Sequence, residues 1–296
     1  MSKILVRCIA LFVTALIPVG SALHAQDAPA EAPAEPEVIN LYLSETRALV
    51  MLRVGDAAPV PVVFDTGTNG NLVDAGLADR LGLPNTGPSP SVDGSTGKPV
   101  PGHDSFIRGA RLGGVAIRDA RATVLAYDLP DEVGIFGPNS FPESLVEMDG
   151  PRSRLTIRRK ADATLPPGAA TPYLGSGGSA LPSAILEFDG LSVPAILDTG
   201  NDSSIILPLS FKDRLKLDQP PRLYGYAVSA AGRQPIYVAR LAGTVRIEGV
   251  AIENPEILFM EGGRPNIGLP VLRRITVVYD HGGSRSWILS KGTIAP

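Results

Sequence analysis

Short runs of β-branched and aliphatic residues, such as 60–64, 155–158, 193–197 and 275–279, recur along the chain between turns rich in Gly and Pro. That pattern predicts short strands and a mostly β fold. Only at 75–81 and 209–215 does the apolar spacing become helical, with charged residues filling the gaps, so two brief helices are expected. Three stretches stand apart. Residues 1–25 open with Lys3 and Arg7 and continue into an apolar run, 9–17, too short to span a bilayer comfortably. They read as a secretory signal cleaved after Ala22 or Ala25, and the membrane is expected to be met only through this segment if it stays uncleaved. Residues 26–38, an Ala/Pro/Glu string without apolar period, predict a disordered tether, with a propeptide as the alternative. Residues 161–180, rich in Pro, Gly, Ala and Ser, predict a linker between an N-terminal lobe, 39–160, and a C-terminal lobe, 181–296.

The two lobes read as copies of each other. Val63-Phe64-Asp65-Thr66-Gly67 is answered by Ile196-Leu197-Asp198-Thr199-Gly200, two apolar residues running into Asp-Thr-Gly each time. The offset is 133 positions there, 135 from Gly97 to Gly232, and 131 both from Gly137 to Gly268 and from Asp149 to Asp280. A duplicated unit keeps its period at unrelated landmarks in this way. Gly114-Val115-Ala116-Ile117 likewise answers Gly249-Val250-Ala251-Ile252, and hairpin turns at Val54-Gly55-Asp56 and Phe188-Asp189-Gly190 precede the two motifs.

Composition narrows the class. The single cysteine, Cys8, lies inside the signal and leaves with it, so the mature chain has no disulfide and depends on its core. Without Lys3 and Arg7, 25 basic residues face 30 acidic ones, a net charge of −5 with no basic run, which argues against nucleic acid as a partner. The histidines beyond residues 1–25, His103 and His281, sit in sequences that read as exposed turns, and no set of three or four metal ligands is spaced for a site. Ser203 and Ser204 lack the Gly-x-Ser-x-Gly frame of a nucleophilic serine. No metal or cofactor is expected.

Two carboxylates held close cannot easily both ionise, so they share one proton. One oxygen can then take a proton from water while another donates to a carbonyl, and water attacks an amide without a covalent intermediate. Asp65 and Asp198 are the candidates for that pair. Gly67 and Gly200 would let the loops approach, and the hydroxyls of Thr66 and Thr199 could bond across to the opposite loop. Asp149 and Asp280 read as turn residues.

On these residues the chain resembles the aspartic proteases of the retropepsin-like (pepsin/retropepsin-type) group found in bacteria, with two lobes fused, over nearly the whole mature sequence. The resemblance extends to the apolar-apolar-Gly triplet later in each lobe, at Ile135-Phe136-Gly137 and Asn266-Ile267-Gly268, where Asn266 departs from the apolar preference. It implies two β-barrel lobes related by a pseudo-two-fold axis with the cleft between them. It also implies an endopeptidase dyad of Asp65 and Asp198 supported by Thr66, Gly67, Thr68, Thr199, Gly200 and Asn201, and flaps near Gly97 and Gly232. After the motif the family has Ala, Ser or Thr. Thr68 fits and could bond the carboxylate, whereas lobe 2 has Asn201 followed by Asp202, and Asn71 stands where Ser204 keeps the usual hydroxyl. The implied partner is a peptide or protein, met in the periplasm or cell envelope by a monomer whose lobes pair within the chain. The alternative is a catalytically weak or inactive peptide-binding module on the same fold.

Overall fold

A computed structural model of the chain describes residues 35–89, 100–117, 120–126, 133–175, 180–229 and 232–296, with backbone alone at 227–229 and 232–233. The expected signal segment, most of the expected tether and the expected flap glycine Gly97 lie outside the described residues.

Each Asp-Thr-Gly loop leaves the end of a strand whose apolar residues are anchored in the core. Val60–Phe64 buries Val62, Val63 and Phe64, and Leu191–Asp198 buries Val193, Ala195, Ile196 and Leu197. Each pairs antiparallel with the strand before it, Ala48–Val54 or Ser183–Phe188. In lobe 2 the turn is only Asp189-Gly190, with Gly190 at φ +74°, the left-handed conformation that a two-residue hairpin requires.

The duplicated text becomes a duplicated sheet. In lobe 1 the strands lie in the order Gly87–Pro88, Gly102–Ile107, Ala120–Leu125, Asn71–Asp74, Gly134–Phe136, Val60–Phe64, Ala48–Val54, Ala110–Leu112, Val115–Ala116. Lobe 2 repeats that order: Arg222–Ser229, Gly232–Arg240, Glu256–Met260, Ile205–Pro208, Asn266–Gly268, Leu191–Asp198, Ser183–Phe188, Thr244–Ile247, Val250–Glu253. Even the parallel pairs match, since Gly134–Phe136 runs parallel to Val60–Phe64 and Asn266–Gly268 parallel to Leu191–Asp198. Gly114 and Gly249, the paired glycines of the repeat, adopt φ +101° and +102°. The protein is thus all-β, with two pseudo-two-fold related lobes.

The expected helix at 75–81 forms as Ala75–Arg80, capped by the Asp74 carboxylate accepting from the amides of Gly76 and Leu77. Its lobe 2 counterpart, Leu209–Arg214, is a 3-10 helix. There Pro208 holds the cap position and has no side-chain acceptor to offer.

A third sheet of six strands joins the lobes. Its centre is the antiparallel pair Ser144–Asp149 and Thr276–Asp280, one strand from each lobe, flanked by the hairpin partners Arg154–Arg159 and Arg285–Ile288. Glu37–Asn40 closes one edge and Thr171–Pro172 the other. Both outer strands fall within segments whose composition predicts no structure. The first begins inside the expected tether because Ile39 drops into the core. The second orders the middle of the expected linker, where Tyr173 is buried. One apolar cluster runs through both lobes, from Phe64 and Phe136 to Leu197 and Phe259, with Tyr279 of the central sheet inside it.

Candidate active site

The strand order fixes where each aspartate lies. Gly134–Phe136 sits between Val60–Phe64 and Asn71–Asp74, so the chain leaves the sheet at Asp65, loops out and returns two strands away. The amide of Asp65 donates to the carbonyl of Phe136 at 2.8 Å, and in lobe 2 Asp198 is in register with Gly268. Gly137 and Gly268 are glycines because the loop passes directly against them. A Cβ on Gly137 would lie 2.2 Å from the carbonyl oxygen of Asp65, and one on Gly268 would lie 1.9 Å from that of Ser203.

The two loops interlock through their threonines. The Thr66 hydroxyl donates to the carbonyl of Leu197 at 2.7 Å and accepts from the amide of Thr199 at 3.1 Å. The Thr199 hydroxyl donates to the carbonyl of Phe64 at 2.5 Å and accepts from the amide of Thr66 at 3.0 Å. Both side chains are fully buried, so four polar groups that water cannot reach are satisfied across the lobe boundary. The predicted cross-loop bonding takes this form.

Behind this lock the carboxylates converge. The amide of Gly67 donates to Asp65 Oδ1 at 2.7 Å and that of Gly200 to Asp198 Oδ1 at 3.0 Å. A Cβ on Gly67 would stand 2.4 Å from Cγ of Asp198, and one on Gly200 would stand 2.6 Å from Oδ2 of Asp65. Each glycine therefore makes room for the opposite aspartate, a closer constraint than turn geometry alone. Asp65 is surrounded by protein yet keeps a partly open side. Burial, then the neighbouring Asp198 charge and a hydrogen bond with it, push the Asp65 carboxyl well above the usual range, against the lowering effect of the Gly67 and Gly200 amides. Two carboxyl groups this close cannot easily both ionise.

Outside the triplets the lobes differ. The Thr68 hydroxyl donates to the carbonyl of Gly70 at 2.9 Å, so its one proton is directed away from the Asp65 carboxylate that sequence reasoning offered it. Asn71 is buried and accepts from Asn139 and Ser140 while donating to the carbonyl of Arg121. In lobe 2 Asn266 donates from Nδ2 to Asp198 Oδ2 at 2.6 Å, and Asn201 donates from Nδ2 to Asn266 Oδ1 at 2.8 Å. Asp202 is exposed. In the sequence Asn266 stands out only as a polar residue in an apolar slot, without a role, and that misfit is the available signal. Tyr279, which nothing in the sequence singles out, lies buried in the central sheet with its hydroxyl toward Thr66 and Asp198; burial raises its proton affinity.

The remaining candidates fall elsewhere. Gly232 starts the strand Gly232–Arg240, which forms a long ribbon with Arg222–Ser229, where Leu223, Tyr224 and Tyr226 are exposed. Asp149 and Asp280 do hold turns, accepting from the amides of Arg152 and Gly283, but they are also buried ion-pair centres. Asp149 meets Arg152 and Arg154, and Asp280 meets Lys160 at 2.5 Å and Arg285 at 3.0 Å. Only His281 is in a turn, and it is not fully exposed. His103 pairs within the strand Gly102–Ile107, and His281 is half-buried edge-on to the Tyr173 ring, where burial and then Lys160 lower its proton affinity.

Two β lobes of one topology, each contributing an Asp-Thr-Gly loop to a shared carboxyl pair, define the acid-protease class of fold. A sequence model of the aspartyl protease family matches residues 50–139 and again 184–270, more than half of the chain. The protein belongs to the aspartyl protease family, retropepsin-like in type, and carries the family's domain once in each lobe. No curated protein matches the chain.

Proposed function

We propose that the protein is an exported endopeptidase that hydrolyses peptide bonds with a water activated between Asp65 and Asp198. The observation that carries this reading is the convergence of the two carboxyl groups, each facing the opposite glycine, with the proton affinity of Asp65 raised. A water between the carboxyls loses a proton to the ionised one as its oxygen attacks the scissile carbonyl, whose oxygen takes the proton of the other carboxyl. The tetrahedral diol then collapses, the amine leaves with a proton, and the pair returns to its singly protonated state. The threonine lock holds both carboxyls in place throughout, so little of the barrier goes into reorganising them.

The substrate is a peptide or protein lying extended along the cleft, its backbone bonding to strand edges such as Arg222–Ser229 and its side chains alternating between pockets. The N-terminal segment supports export, hence a periplasmic or cell-envelope location. The shared six-stranded sheet supports a monomer. The test is digestion of a diverse peptide mixture from acid to neutral pH, read by mass spectrometry beside Asp65→Asn and Asp198→Asn. Cleavage by the native protein that both variants lose is the expected result. Full cleavage by either variant overturns the dyad, and saturable peptide binding without product makes the protein a binding module on this fold.

A further inference from the structure

We propose that Asn266 divides the labour within the dyad, donating to Asp198 so that Asp198 is the proton acceptor and Asp65 carries the shared proton. The inference rests on the endopeptidase reading above and gives its two aspartates separate roles. Its first support is the direction of the hydrogen bonds. An amide side chain can be turned end for end, so the donor facing Asp198 has to be fixed by something that cannot turn. The backbone amide of Ser203 is such a group. It can only donate, and it donates to Asn201 Oδ1 at 2.9 Å. The Asn201 amino group must then face Asn266, where it meets Oδ1, and the Asn266 amino group is left facing Asp198 Oδ2. The polarity of the whole relay is set by the main chain.

The second support is the contrast with lobe 1. Asp198 accepts on both oxygens, Oδ1 from Gly200 and Oδ2 from Asn266, an arrangement that suits an anion. At the matching position of lobe 1 stands Ile135, in register with Val63 as Asn266 is with Ile196, and an aliphatic side chain donates nothing. The Thr68 hydroxyl, the other available donor there, is turned to Gly70. Apart from its hydrogen bond with Asp198, Asp65 is left among the described residues with backbone amides. The titratable groups facing Asp198 are Asp65 across the lobe boundary and the Tyr279 hydroxyl from the central sheet, and Asp202 on its own loop faces solvent. The raised proton affinity of Asp65 agrees with this assignment. Asn266 acts on the reaction only through Asp198 and makes no contact with substrate in this scheme, so it is a positioning residue. The departures Asn201 and Asn266 become one device.

The test titrates the carboxyl carbons of the ligand-free protein by carbon-13 NMR, with Asp65→Asn and Asp198→Asn to assign the signals. The same titration is run on Asn266→Ile, which installs the lobe 1 residue, and on Asn201→Ala, which removes only the brace. In the native protein Asp198 is expected to ionise first. In Asn266→Ile the first ionisation of the pair moves up by about one pKa unit, and the acid limb of kcat/KM moves with it while KM changes less than about twofold. Asn201→Ala moves both in the same direction by less, and it decides the matter if Asn266→Ile does not fold. First ionisation at Asp65, or an unchanged titration in the folded variants, overturns the proposal. If the native protein cleaves no peptide, the endopeptidase reading falls while the NMR titration still judges Asn266. If it cleaves and the titration does not move, only the role of Asn266 falls.

Discussion

Around Asp65 and around Asp198 the backbone is the same and the side chains are not. Both loops leave the same strand of the same sheet order, both place a glycine against the opposite carboxyl, and both bury a threonine with equivalent bonds. One step outward, lobe 1 has Thr68 turned to Gly70 and an aliphatic Ile135, while lobe 2 has a chain of two amides ending on Asp198. The difference shows which parts of a duplicated site are free to diverge. The inner parts touch their own copies across the pseudo-two-fold axis, so a change in one lobe strands a buried partner in the other. The outer parts touch only their own lobe, and a reaction that needs one acid and one base gains from making them unequal.

The most direct way to break the comparison is at the carboxyls. Asp65→Asn and Asp198→Asn are each expected to lower kcat by at least about 10³-fold while circular dichroism stays native, since both roles require a carboxyl group. Next come the glycines. In Gly67→Ala and Gly200→Ala the new methyl meets the opposite carboxyl, and displacing it is expected to cost on the order of 10²-fold in kcat/KM, about equally from either lobe. A large inequality between the two would show that the inner site is not symmetric.

The lock is tested by Thr66→Val and Thr199→Val. Each removes one donor and one acceptor inside a sealed contact and leaves their partners unpaired, so each is expected to lower stability by about 1–3 kcal/mol in urea unfolding. The two changes strand different backbone groups, Leu197 O and Thr199 N in one case and Phe64 O and Thr66 N in the other, so the double variant is expected to cost about the sum, and any departure from it measures the coupling between the loops.

The outer asymmetry can be sharpened by exchange. Adding Ile135→Asn to Asn266→Ile carries the donor to the Asp65 side, and the carboxyl that ionises first, followed by NMR, is expected to change from Asp198 to Asp65. The smallest effect is on stability against pH. Burial alone would raise Asp280, but Lys160, Arg285 and the Gly283 amide outweigh it and hold its carboxyl below the ordinary range. Its contribution is therefore present above the unfolded value of about 3.9 and is lost as pH falls through the folded value. Asp65 has the opposite sign. Its raised value contributes stability at low pH that is lost as pH rises through it. Urea midpoints across pH should show Asp280→Asn flattening the acid side and Asp65→Asn gaining on the native protein toward neutral pH.

Much of this was legible beforehand because it is local. Val63-Phe64 and Ile196-Leu197 had to be buried strand ends, and the glycines after each Asp-Thr could only mean a turn or a close approach. Ala75–Arg80 was legible as a helix from its apolar spacing and the charged residues between, whereas its Asp74 cap appears only in the structure. The rest depended on partners far along the chain. Thr171–Pro172 reads as linker because its composition is poor in strand formers, yet Arg285–Ile288 offers it an open edge. Asn266 reads as an error in an apolar triplet until Asp198 and Asn201 are placed beside it.

The sequence by itself determined that there are two lobes of short strands, that each presents one aspartate on a glycine-bearing loop, and that the core rather than disulfides must hold them. Those properties follow from periodicity and residue type within a few positions. Only the tertiary structure decided that the loops interlock through Thr66 and Thr199, that a third sheet gathers strands from both lobes, and that Asn266 points at one carboxyl and has no counterpart at the other. Hydrogen bonds between residues 133 positions apart are set by how two finished sheets meet, and no local pattern carries that information.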